Sequence, residues 1–297
     1  MSRALADALD KLLKTAGPSA ATLFTVAQRR ELDRFAQHTG ALRLSTQGRG
    51  ASYLLSDPAL ARAHLSALRP IAIDDLDASL PARANNIARM RDSKGRSHVH
   101  ASAYLLLKAI GDGVTWQRGD GGGDSGGDGA TFDVSAATAL AGAAAIAIDA
   151  QDNWHTQAPI WLVENQALFD RLDWLPPDAH GSIVYYGGQL SRRLLDWMAL
   201  RARSGAIVFF PDYDGVGLLN YARLREKSLA PVQFWLMPDW EARLRKFGNN
   251  RIWQNTRKDF DAALARLEAL GMPLEVKALC QAMAAQGLAL EHEAVWL

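Results

Sequence analysis

Apolar residues recur every three or four positions at the start of the chain, at Leu5, Leu9, Leu12 and Leu13, and again through Val26, Leu32 and Phe35 after the Gly17-Pro18 break. That period predicts two helices. Beyond residue 40 the period drops to two. Ala41-Leu42-Arg43-Leu44-Ser45 and Ala51-Ser52-Tyr53-Leu54-Leu55 alternate on either side of Gln47-Gly48-Arg49-Gly50, the pattern of a hairpin. Asp57-Pro58 then opens a further helix, with Asp57 as N-cap and Pro58 at the first helical position.

Later segments change character. Tyr104-Leu105-Leu106-Leu107 reads as part of an apolar helix, and Ala136 to Ile148 as a buried Ala-rich one. Ile160-Trp161-Leu162-Val163, Ile183-Val184-Tyr185-Tyr186 and Ala206-Ile207-Val208-Phe209-Phe210 are unbroken apolar runs of strand length, with Val232 to Met237 a fourth. Helical patterns lie between them at Asn165 to Leu172 and Ser191 to Arg203, and Phe260 to Leu270 and Glu275 to Gln286 close the chain as helices. Strands alternating with helices predict an α/β fold, a parallel sheet with helices on both faces. The expected division is a mainly helical region over 1–150 and an α/β domain over 151–297. In the first, helices followed by a hairpin with Arg43 at its edge and Arg49 at its tip resemble a winged helix-turn-helix, although helix-plus-hairpin modules also serve protein contacts alone.

Composition narrows the classes. At 297 residues, 48% hydrophobic and 22% charged, the chain is long enough for about two domains and too apolar for global disorder. Its most apolar run is too short for a bilayer, and Met1 to Lys14 is amphipathic where a signal peptide would be apolar, so a cytoplasmic protein is expected. The single Cys280 excludes an intramolecular disulfide. With 33 Lys+Arg against 32 Asp+Glu, any nucleic-acid contact has to come from local clusters. One is Pro81 to Lys108, with Arg83, Arg89, Arg91, Lys94 and Arg96; another is Arg243, Arg245, Lys246, Arg251, Arg257 and Lys258. Each reads either as a phosphate-contacting surface or as a solvated face. Residues 119–129 hold only Gly, Asp and Ser, which predicts a flexible loop.

Acids follow two of the strands. Glu164 comes directly after Val163, and Asp212 and Asp214 follow Phe210-Pro211. A carboxylate at the end of a buried parallel strand incurs desolvation and adds nothing to packing, so three converging there call for a cation. Magnesium prefers such oxygen ligands. Turn chemistry is the competing account of Asp212 and Asp214, because Pro-Asp-x-Asp-Gly also caps a helix. The histidines are dispersed, and His98-x-His100 is too little for zinc.

Val163-Glu164-Asn165, Tyr185-Tyr186-Gly187-Gly188 and Phe210-Pro211-Asp212-Tyr213-Asp214-Gly215-Val216-Gly217 together resemble the Toprim domain of topoisomerases, primases and nucleases. Phe234-Trp235-Leu236-Met237-Pro238 and the ending Gly287 to Glu293 narrow the likeness to the Toprim nuclease subunits of bacterial condensin-like SMC systems, Wadjet and its relatives, related to the A subunit of type IIB topoisomerases. His292 stands where their terminal Leu-Glu-Gln-Glu signature has Gln. The resemblance covers residues 158–297. It implies a homodimeric endonuclease that cuts plasmid or other foreign duplex DNA with Mg2+, or Mn2+ in its place, in company with an SMC-like ATPase. Glu164, Asp212 and Asp214 would form its site, completed by Glu291 and Glu293, with Glu164 either ligand or general acid. Two alternatives stay open: a topoisomerase-like transesterase using Tyr53 or Tyr104, and a non-catalytic DNA-binding subunit.

Overall fold

Ile160–Val163 and Ile207–Phe210 are buried at every position, as strands covered on both faces must be. The computed structural model describes residues 3–47, 50–71, 79–91, 102–119, 130–149 and 152–297. The chain divides into two compact units, residues 1–99 and 100–297.

The second unit is α/β. Its strands are β4 (Ala103–Ile110), β5 (Thr115–Arg118), β6 (Ala130–Asp133), β7 (Ala144–Ile148), β8 (Trp154–His155), β9 (Ile160–Val163), β10 (Gly181–Tyr185), β11 (Ile207–Phe210) and β12 (Val232–Phe234). Six of them form one sheet in the order β12-β11-β9-β10-β4-β7. The first four are parallel, and β4 and β7 extend the sheet antiparallel. β6, β5 and β8 make a small separate sheet. The helices are α5 (Val134–Ala141), α6 (Gln166–Asp170), α7 (Arg192–Leu200), α8 (Gly215–Lys227), α9 (Trp240–Phe247), α10 (Asn250–Ala269) and α11 (Leu274–Gln286), with a last 3-10 turn at His292–Trp296. Neighbouring residues of β11 look to opposite faces: the Phe209 ring stacks on Tyr221 of α8, whereas Phe210 meets Trp174 and Trp235. The chain passes from β9 to β10 on one side and then to β11 on the other. That reversal makes the carboxyl ends of β9 and β11 a switch point, the place where open α/β sheets put their ligand sites.

Three expectations are corrected. Tyr104-Leu105-Leu106-Leu107 belongs to a strand: Leu105 and Leu107 are buried while Tyr104 is 77% exposed, the period of two that a four-residue apolar run cannot reveal. Ala136 to Ile148 is not one helix. Gly142, at φ 79°, stops α5, and the chain returns as β7 with Ala144, Ile146 and Ile148 inward. The division accordingly falls at 99/100 and not at 150, because β4 hydrogen-bonds to β10 and carries β7 with it.

The first unit contains α1 (Arg3–Lys14), β1 (Ser19–Ala20), a 3-10 turn (Ala21–Leu23), α2 (Val26–Thr39), β2 (Leu42–Gln47), β3 (Gly50–Leu55), α3 (Pro58–Leu68) and α4 (Ala82–Met90). Its three strands pair antiparallel in the order β1-β3-β2 over a core that includes Leu9, Leu12, Leu32, Phe35, Leu42 and Tyr53. Thr25 and Gln28 form a capping box at the head of α2, and the Asp57 side chain accepts from Leu60 N. Among the described residues no helix is long and apolar enough to cross a membrane.

Candidate metal centre

β9 ends at Val163, and Asn165 caps α6 by accepting from Ala167 N at 2.8 Å, so Glu164 is fixed between a strand end and a helix start. Tyr186, just past β10, donates its hydroxyl to Glu164 Oε2 at 3.1 Å, and its N–H to the Val163 carbonyl. The chain then turns away through Gly187 and Gly188, both at positive φ.

On the neighbouring strand Pro211 ends β11. Asp214 caps α8, its side chain accepting from Gly217 N at 2.7 Å, so the predicted turn chemistry is present. Tyr213 between the two aspartates is held on both sides. Its hydroxyl accepts from Met237 N at 2.6 Å and donates to Trp235 O at 3.2 Å, and its backbone exchanges hydrogen bonds of 2.8 and 3.0 Å with Leu290. This second contact lays the segment after α11 across the Asp-x-Asp turn as a strap. The strap delivers His292, whose N–H donates to Asp212 Oδ1 at 2.8 Å and whose Nδ1 lies 2.6 Å from the same oxygen. The imidazole is 1% exposed, packs near Phe210, and makes no aligned hydrogen bond through either ring nitrogen.

Burial pushes the Glu164 carboxyl up to about 7, helped by the charges of Asp212 and Asp214 and partly offset by His292 and the Tyr186 hydroxyl. Burial likewise pushes Asp214 up to about 6, against the pull of the Gly217 and Val216 N–H groups. For His292 burial works downward, but contact with Asp212 and the charges of Glu293 and Glu164 outweigh it and raise the imidazole. A carboxyl raised in the folded state binds its proton more tightly there than when unfolded. Its contribution is therefore fully present below the unfolded value and lost as pH rises through about 7. Chelator-treated protein should then melt lower at pH 8 than at pH 5.5, and Glu164→Gln should flatten that difference. Thermal melts at the two pH values check this; an unchanged slope in the variant would assign the pH dependence to other groups.

One oxygen each of Glu164 and Asp212 and one ring nitrogen of His292 lie within 4.8 Å of one another. Asp214 is outside that trio. Glu293 is at its rim, accepting from Asn165 Nδ2, with Oε2 3.8 Å from His292 Nε2. Glu291 is exposed where the last turn begins. Arg251 is exposed in the first turn of α10. Two members of its cluster have structural partners: Arg243 donates to Pro238 O and Ala294 O, and Arg257 pairs with Asp261 while lying over Trp253. In the first unit Arg43, Arg83 and Arg91 are exposed and Arg89 is half-buried. Arg49, Lys94, Arg96, His98, His100 and residues 120–129 lie outside the described residues. Tyr53 is buried, donates to Asp33 at 2.8 Å and is pushed up to about 12, chiefly by burial.

Sequence reasoning missed His292 as a member of the cluster, and with it Asn165 and Tyr186 as partners. Two signals were present: His292 sits between Glu291 and Glu293, and Tyr186 adjoins the glycine pair. Comparison with protein-family models and with curated proteins returns no match.

Proposed function

We propose that the second unit is a Toprim-type domain and the chain a metal-dependent endonuclease subunit acting on duplex DNA. The observation that carries this reading is the juxtaposition of Glu164 and Asp212 beyond the carboxyl ends of adjacent parallel strands, at the point where the strand order reverses. The residues suit a divalent cation. Among the described residues no Lys or Arg forms an ion pair with Glu164, Asp212 or Asp214, and burial leaves Glu164 and Asp214 reluctant to ionise without one. Glu164 and Asp212 would hold Mg2+ or Mn2+, with Asp214 adding negative charge from the helix cap. A bound ion of this kind neutralises non-bridging phosphate oxygens and the charge developing on the leaving 3′ oxygen. Before a cation binds, Glu164 keeps a proton near neutrality, the state a general acid needs, and Tyr186 fixes which of its oxygens is turned away.

The first unit supports a winged-helix reading through its order of helix, strand, short turn, helix and hairpin, with Arg43 exposed on β2. Duplex cleavage needs one site per strand, which favours a homodimer. An SMC-like ATPase partner and a cytoplasmic setting follow from the resemblance alone. Purified protein incubated with circular and linear duplex DNA should give cuts with Mg2+ or Mn2+ that EDTA prevents, and the new ends should be free of protein after denaturation. Protein attached to the ends would replace this reading with tyrosine transesterification. Intact DNA with both ions would leave a non-catalytic DNA-binding subunit.

A further inference from the structure

We infer that His292 is a nitrogen ligand of this centre, which makes it a mixed carboxylate and imidazole site that takes Mn2+ in preference to Mg2+. The inference rests on the reading of Glu164 and Asp212 as cation ligands, and it does not depend on what reaction the cation serves.

The imidazole is 99% removed from solvent and neither ring nitrogen makes an aligned hydrogen bond. Nδ1 has only the misaligned Asp212 Oδ1 at 2.6 Å and Nε2 only Glu293 Oε2 at 3.8 Å, so the protein satisfies the buried ring poorly. The backbone that carries the ring is held in place: the His292 N–H is anchored on Asp212 Oδ1, Leu290 is bridged to Tyr213, and Arg243 holds the Ala294 carbonyl. Around the ring stand Asp212, Glu164 and Glu293, all acids, and the Phe210 side chain. One imidazole faces three carboxyl groups; a protonated ring brings one positive charge to them and a divalent ion brings two. The ion would meet two carboxylate oxygens and one nitrogen, with its remaining positions open to water or phosphate.

That donor set discriminates between ions. Mg2+ is a hard ion that takes oxygen and dehydrates reluctantly, whereas imidazole favours the first-row transition ions. Mn2+ is the member of that series that also accepts carboxylate and water readily. A Gln at 292 would offer an amide oxygen in place of the imidazole nitrogen and restore an all-oxygen set.

The test is metal binding to the chelator-treated full chain, read by calorimetry with Mg2+ and with Mn2+, and by electron spin-echo modulation of the bound Mn2+. Wild-type protein should bind Mn2+ about tenfold or more tighter than Mg2+ and show nitrogen modulation from an imidazole. His292→Gln should lose the modulation and most of the preference while still binding Mg2+. Bound Mn2+ without nitrogen modulation in the wild type overturns the inference, and so does an unchanged Mn2+ to Mg2+ ratio in the variant. The wild-type spectrum alone decides should the variant not fold. Nitrogen modulation in a protein that leaves DNA intact would remove the nuclease reading and keep this one. Mg2+-supported cleavage without modulation would do the reverse, and no binding of either ion removes the inference.

Discussion

Asp212→Asn should lower metal-dependent DNA cleavage by about 10²- to 10³-fold. The asparagine keeps an oxygen to accept the His292 N–H, the one hydrogen bond that the Asp212 side chain accepts from the backbone of the strap, so the local geometry survives while the charge is lost. Single-turnover cleavage at saturating Mg2+, alongside circular dichroism, separates a chemical effect from a folding one. A rate within about threefold of wild type would show that Asp212 does not serve the cation, far less than the loss of an electrostatic contact in an active site. Asp214→Asn should act more mildly. Its oxygen can still cap α8 for Gly217 N, and it lies outside the trio that meets at one point.

Gly215→Ala should have the largest effect on stability, about 3 kcal/mol or more. A Cβ there would sit 2.0 Å from the Thr256 carbonyl oxygen and 2.6 Å from Phe260 N, both backbone atoms of α10 that cannot rotate aside. Relief requires parting α8 from α10, and the Asp-x-Asp turn would move with α8. Gly142→Ala is the matched comparison: nothing lies within 4 Å, so its cost is only that of holding φ 79° with a side chain, about 1–2 kcal/mol. Urea unfolding of the two variants checks the order. Equal losses would show that the close approach of α8 and α10 is not what demands glycine at 215.

The strands that carry the acids were legible because burial on both faces forces unbroken apolar runs, and the first charged residue after each run is an acid. The hairpin over 42–55 and the Asp57 cap were legible for the same local reasons: strict alternation, and a side chain that bonds three residues ahead. β4 and β7 were not. Each is defined by pairing with a distant strand, and Leu105-Leu106-Leu107 or Ala144-Ala145 satisfies a helix as readily as a strand until β10 supplies the partner of β4, and β4 that of β7. Asp214 was legible both as a ligand and as a cap, because Pro-Asp-x-Asp-Gly suits either, and the cap is present. His292 belongs to no period at all. Its position beside Asp212 is set by the backbone bonds of Leu290 with Tyr213 and by its own N–H on Asp212 Oδ1, eighty positions away, which no local pattern encodes.

Those bonds also differ in how much chain each must close. The cap of α8 forms from residues three apart, and β9, β10 and β11 are joined by short crossovers, so the two acids can be brought together while the strap is still free. The strap closes a much longer loop: it docks through the buried Ala289, Leu290 and Ala294 and through paired backbone bonds to Tyr213 and Asn249, with α9, α10 and α11 lying between in the chain. The approach of His292 to Asp212 therefore depends on the placement of α9, α10 and α11, whereas the cap of Asp214 on α8 depends on its own turn alone.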